Sequence, residues 1–215
     1  MRTTVNDTIN LILRRLALAT ALGAAALLAG CSSTSKNPGN STYDFGQAPA
    51  PAAAQAAPPM GVLVVTDVTG VAALDSERMF YRLAYSDPLR ARSYANSRWA
   101  STPLSMVTQR IKLRLSQSGI KVLATTDAAA GMPILRMEID DFTHTFDSAT
   151  QSYGQLVLRA SLFHGHKLID QRVFNQKTSA ATLDAAGGAR ALAESTDAAA
   201  AGMLAWLATL QLPKQ

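Results

Sequence analysis

Three kinds of side chain in this 215-residue chain could carry chemistry: one cysteine, three histidines, and the adjacent carboxylates Asp140 and Asp141. Cys31 follows Leu28-Ala29-Gly30 and closes an apolar run over 16–29, itself preceded by Arg14-Arg15. A basic start, a short apolar stretch and small residues before the cut are the parts of a secretory signal. A cysteine directly after Ala-Gly narrows that signal to a bacterial lipobox, in which the sulfur receives lipid and the cysteine becomes the first mature residue. The competing readings are a plain secretory signal with a chance cysteine, and a membrane span. The run offers about 14 residues where a span needs roughly 20. As the only cysteine in the chain, Cys31 makes no disulfide within a monomer and no cysteine-based metal cluster.

The other candidates are weaker. His164-Gly165-His166 flanks the expected tip of a hairpin, and neither it nor His144 has further ligands at a fitting spacing, so no metal is expected. Asp140 and Asp141 are neighbours on an expected strand and should point to opposite faces, which denies them a shared acid–base site. Their expected role is to bend or solvate that strand. Neither a Gly-x-Ser-x-Gly elbow, a P-loop nor a dinucleotide fingerprint occurs. The expectation is therefore a chain that is not an enzyme, with no catalytic residue and no cofactor beyond covalent lipid on Cys31. The net charge of +5 includes no basic block of the kind that tracks phosphates, so nucleic acid is not an expected partner.

The elements that would position these residues divide the chain in three. Residues 1–30 read as a lipoprotein signal peptide, 31–60 as a Pro/Ala/Ser-rich flexible tether beginning at Cys31, and 61–212 as one domain. The tether would reach at most about 90 Å as an extended polyproline-like spacer, and its composition leaves it little surface to bury. Tyr43-Asp44-Phe45-Gly46 interrupts it, either as a segment that docks on the domain or as a less polar patch. In the domain, 62–65 reads as a buried strand, and 79–85 and 90–96 as a hairpin around Ser86-Asp87-Pro88. Thr102 caps a helix that Pro103 starts, with Leu104, Val107, Ile111 and Leu115 at helical spacing and Gly119 at its end. A strand follows at 120–123. Over 134–147, Leu135, Met137 and Ile139 share a face while Phe142 and Phe146 fall on the opposite parity, which predicts a bulge near Asp140-Asp141. Alternation over 155–162 and 168–174 around Gly165 gives a second hairpin. Gly187-Gly188 marks a helix start or a kink, and Leu192, Ala199, Met203, Trp206 and Leu210 form one stripe of a closing Ala-rich helix. The expected fold class is α+β: a mainly antiparallel sheet with two helices packed on one face, preceded by a disordered tether.

The most informative stretch pairs Phe80-Tyr81-Arg82 with Tyr94-Ala95-Asn96-Ser97-Arg98-Trp99, followed by Thr102-Pro103-Leu104. Aromatic and arginine side chains there either pack across two strands or form an interface, which such residues dominate. Tyr81, Arg82, Tyr94, Arg98 and Trp99 are the candidates for partner binding or for fixing the junction of hairpin and helix.

A Tyr-Arg pair on one strand, then Tyr-Ala-x-x-Arg-Trp and a proline-started helix, behind a lipobox and a linker, resembles the ABC-type transport auxiliary lipoproteins. The likeness covers roughly 62–210 and includes a closing Trp-Leu pair, here Trp206-Leu207; residues 71–78 depart from the family pattern. The resemblance implies a non-catalytic, outer-membrane lipoprotein on the periplasmic face that accompanies an MCE-type (mammalian cell entry) transport system. Its implied partners are the MCE-domain protein and the ABC permease, with phospholipid as the traffic between membranes. Ser32 after the cysteine, in place of Asp, favours the outer membrane under the familiar sorting rule. A carrier module that itself holds phospholipid, and a structural envelope lipoprotein, are the alternatives.

Overall fold

The computed structural model describes residues 40–50, 60–127 and 131–211. Cys31, the expected signal peptide (1–30) and the prolines at 38, 51, 58, 59 and 213 lie outside them. The described residues form nine strands: β1 (Ser41–Tyr43), β2 (Val62–Val65), β3 (Thr69–Gly70), β4 (Arg78–Leu83), β5 (Ala91–Trp99), β6 (Lys121–Leu123), β7 (Pro133–Phe146), β8 (Ser152–His164) and β9 (Lys167–Ser179). Two α-helices, α1 (Pro103–Gln117) and α2 (Ala185–Thr209), complete the layer. Neither is long and apolar enough to cross a membrane.

β7 organises the sheet. One of its edges pairs along its whole length with β8, antiparallel, and β8 pairs in turn with β9. Its other edge is shared by three short strands that lie end to end: β2 against Ile134 and Leu135, β3 against Glu138 and Ile139, and β4 against His144 to Phe146, all parallel. Beyond these, β6 joins β2 and β5 joins β4, with β1 at the edge against β5. The sheet is thus mixed rather than purely antiparallel. The long ladders are antiparallel because hairpin turns connect them, whereas the parallel pairs join strands separated by intervening structure.

The expected bulge is present: the β7–β8 register shifts between Ile139 and Asp141. The extra residue returns Phe142, His144 and Phe146 to the helix side, where Leu135, Met137 and Ile139 already lie. It also corrects the expectation for the two carboxylates. Asp140 takes Arg159 Nη2 at 3.1 Å, beside Glu138, which takes the same atom at 3.0 Å. Asp141 stands opposite Val157, away from the core, and accepts from Thr143 Oγ1 at 2.6 Å. Both carboxylates therefore belong to the solvent side, held by different partners.

The helices cover the opposite face. Thr102 Oγ1 accepts from Ser105 N at 3.3 Å to cap α1, and Gly119 closes it at φ +93°. Asp184 Oδ1 accepts from Gly187 N at 2.8 Å to cap α2, which begins a turn or two before its apolar stripe. Small residues let α2 lie close on the sheet: a Cβ on Gly154 would stand 2.6 Å from the Leu192 nitrogen. The core between the layers is one cluster, including Leu63, Ile111, Leu135, Leu158, Leu192, Met203 and Leu207. Trp206 closes α2 onto β9, with Nε1 donating to Asp170 Oδ2 at 2.7 Å and its ring edge-on to Phe174. That bond holds the Asp170 carboxyl below its ordinary range.

Residues 41–46, which composition places in the tether, are part of this domain. β1 is the edge strand, and Phe45 packs edge-to-face on Trp99 at 5.9 Å and against Phe142 at 6.1 Å. Of the two readings offered for Tyr43-Asp44-Phe45-Gly46, docking is the one the structure takes.

Candidate functional site

The five residues singled out lie along the β4–β5 pair, from Arg82 beside Ala91 at the turn end to Arg98 and Trp99 at the other end, in different environments. β5 departs from β4 in its middle: Phe80 pairs with Ser93 but Arg78 pairs with Arg98, so 94–97 bow outward before Ser97 joins β1. Where the two strands part, an open cleft of about 620 Å³ is lined by Asn40, Ser76 to Arg78, Ser93 to Ala95, Ser97 and Arg98. Arg98 borders it with more than half of its side chain exposed. Its guanidinium lies 4.0 Å from Glu77 and its Nε donates to Thr42 Oγ1 at 3.5 Å. Arg82 is directed elsewhere, donating from Nη1 to the Pro88 carbonyl at 3.0 Å across the β4–β5 turn. Trp99 is 1% exposed, the centre of an aromatic group with Phe45 and Phe142.

The rings of Tyr81 and Tyr94 meet at a tilt, 4.6 Å apart, and lead inward to a buried polar row. Tyr94 Oη lies 2.7 Å from His144 Nδ1, and His144 Nε2 lies 2.9 Å from Ser152 Oγ. Burial lowers the imidazole pKa to about 4, against a weaker opposing pull from Asp184, and burial likewise raises the Tyr94 phenol above its ordinary value. Both groups are neutral across the physiological range. The His144–Ser152 contact has the length of a base–nucleophile pair. Here, however, the ring is fully buried against Gly188, where even a Cβ would collide with it. No room is left for a substrate, and the row acts as a bonded strut between β5, β7 and β8.

A second polar centre joins the helices to the incoming chain. Asp197 of α2 lies 3.6 Å from both Arg110 Nε and Arg114 Nε of α1. Arg110 also donates to the Phe45 carbonyl and lies over the Phe45 ring, and Arg114 donates to the Pro49 carbonyl at 2.8 Å. The buried Arg110 and the half-buried Arg114 are thereby committed to holding residues 45–49 on the domain.

The remaining histidines stand at the β8–β9 turn: His164 Nε2 lies 3.1 Å from the Gly131 carbonyl, and His166 is exposed. Among the described residues no group of three or more potential ligands is placed to hold a metal ion. The sequence reading missed the His144 row and the Arg110–Asp197–Arg114 cluster. Gly187-Gly188 was the available signal for the first, since the second glycine is where the imidazole meets α2. The second had none, because its partners lie far apart in the chain.

The sequence matches the family model of the ABC-type transport auxiliary lipoprotein component over residues 43–203. Two solved structures share the fold. One is a Xanthomonas campestris protein of a family of unknown function, at 19% identity and TM-score 0.67, covering 78% of this chain and 95% of its own. The other is described only as an uncharacterized protein, at 16% identity and TM-score 0.60, covering 78% and 98%. No curated protein matches this chain. The family match begins at Tyr43, in the docked edge strand, and ends at Met203, within α2. It thus takes in β2 to β9, α1 and most of α2, and the chain belongs to the ABC-type transport auxiliary lipoprotein family.

Proposed function

We propose that this chain is an accessory lipoprotein of an MCE-type ABC transport system, anchored in the outer membrane through lipid on Cys31. It acts by contact with the MCE-domain protein and its permease, supporting phospholipid traffic between the membranes without catalysing a reaction. The observation that carries this reading is the family match, which covers residues 43–203. The packing favours contact over carriage. The space between sheet and helices, where an acyl chain would have to lie, is filled by Leu63, Ile111, Leu135, Leu158 and Met203, each 0–2% exposed. Outside, Arg98 and the half-buried Tyr94 at the open cleft offer the residue types that dominate interfaces.

The test is fractionation of cells carrying the wild-type or Cys31→Ser chain, with lipid extraction of the purified wild type. Wild-type protein in the outer membrane, loss of that partition in Cys31→Ser, and no stoichiometric phospholipid in the extract are expected. Normal partition of Cys31→Ser would overturn the anchor, and one phospholipid per chain would replace contact by carriage.

A further inference from the structure

One rim of the sheet combines a held-out apolar tip with arginines, and β1 begins on the side of that rim. Leu83 pairs with Phe146 and Phe146 with Ser152, so the β4–β5 turn (84–90) and the β7–β8 turn (147–151) share this rim. Leu89 is 91% exposed at the first turn, and Tyr85 is 52% exposed. The turn holding them is bonded: Arg82 donates to the Pro88 carbonyl, and the Leu89 nitrogen donates to Asp87 Oδ1 at 3.1 Å. The bonded turn holds both side chains out from the domain, where an apolar surface next to it can take them up. Between residues 78 and 98 the hairpin carries five arginines and a single acidic residue, Asp87; Asp147 is the acid of the neighbouring turn.

The second observation is the length of chain leading to the domain. β1 runs parallel to β5, with Ser41 opposite Ser97, so its first residue lies toward the β4–β5 turn. Because Tyr43 and Phe45 are docked, the span available between Cys31 and Asn40 is nine residues. Its contour is about 30 Å, a third of what the composition of 32–60 suggests. The turn itself, from Ala91 back along the strand from Ser97, is about 20 Å from Asn40 at strand spacing. An anchor at Cys31 therefore keeps this rim within reach of the bilayer.

We propose that the β4–β5 turn is a membrane-interface contact. Leu89 and Tyr85 seat among the headgroups of the bilayer that holds Cys31, and Arg82, Arg90 and Arg92 face anionic phospholipid. A small apolar insertion with flanking cations is the chemistry of interfacial binding, and tyrosine is suited to headgroup depth. The proposal rests on the anchored reading of Cys31 given above.

The test uses the full lipidated chain bearing Leu89→Cys, labelled with an environment-sensitive dye. Acylated Cys31 does not react, so the label goes to one site. Val173→Cys on β9, at the edge of the sheet away from β1 and also exposed, is the control. In proteoliposomes of phosphatidylglycerol and phosphatidylcholine, the label at 89 should shift to the blue and be quenched by a headgroup-depth quencher. The shift should be weaker in phosphatidylcholine alone and absent at 173. Equal behaviour of the two labels, or an unshifted label at 89 in a chain whose intact mass shows its acyl groups, would overturn the proposal. Failure of the anchor shows itself differently, as an unsubstituted chain without acyl mass whose Cys31 takes the dye, and the tip contact then falls with it.

Discussion

Replacing Phe45 by alanine should loosen the chain from the domain and lower its stability by a measurable amount. Phe45 is half-buried, so its transfer from water is worth about half of the 1.5–3 kcal/mol of a fully buried apolar side chain, or about 1 kcal/mol. Its two ring contacts, with Trp99 at 5.9 Å and Phe142 at 6.1 Å, each add roughly 0.5–1.5 kcal/mol. The expected loss is about 2–4 kcal/mol. For a domain of this size each kcal/mol moves Tm by roughly 2–4 °C, so a fall of about 4–16 °C is expected by calorimetry. Tryptophan emission gives an independent reading. Trp99 loses its cover and should shift to the red, whereas Trp206, packed on Phe174 and Asp170, should not change. A Tm within about 1 °C of wild type with unchanged emission would refute the docked segment, and with it the short tether.

Three further outcomes follow from the same geometry. The folded imidazole of His144 titrates at about 4 against 6.5 when unfolded, so the unfolded state takes up its proton first as pH falls. The stability that neutral, buried His144 carries above pH 6.5 should therefore be lost progressively down to about pH 4, by roughly 3 kcal/mol; urea unfolding across that window should show the slope, and His144→Gln should flatten it. Asp197→Ala leaves the buried Arg110 and the half-buried Arg114 without their carboxylate and should cost about 3 kcal/mol, seen as an early urea midpoint at unchanged m-value. Arg98→Ala removes a mostly exposed side chain with one long ion pair, so its cost should stay under about 0.5 kcal/mol; lost transport with an unchanged Tm would mark a contact with the partner, and parallel loss of both would mark a packing role.

What the sequence showed and what it hid follow from how local each signal is. The bulge in β7 was legible because Leu135, Met137 and Ile139 change parity against Phe142 and Phe146 within one strand. The start of α1 was legible because Thr102 and Pro103 act on their immediate neighbours. β1 was obscured by the prolines and alanines around it: Tyr43 and Phe45 dock on Trp99, Phe142 and Arg110, which are remote in sequence and leave no periodicity near residue 45. The parallel pairings were hidden for a related reason, since β3 and β6 have two and three residues and are too short to show a period. The first turns of α2 set the glycine pair, which weakens a helix, among alanines, which favour one, and show no apolar stripe. Their helix is dictated by the sheet, where Gly188 makes room for His144 and Gly154 makes room for Ala191 and Leu192. Along β4 and β5 the sequence identified the residue types, but their separation into core, turn and cleft arises from the outward bow of 94–97, which alternation alone does not encode.

The central claim is that this chain works by touching a transporter, and in-cell cross-linking of the tagged, lipidated protein tests it most directly. Mass spectrometry of the captured material should return an MCE-domain protein or its permease, with capture weakened by Arg98→Ala if the cleft is the contact. Recovery of neither, together with phospholipid bound at fixed stoichiometry, would contradict the account and make the chain a carrier.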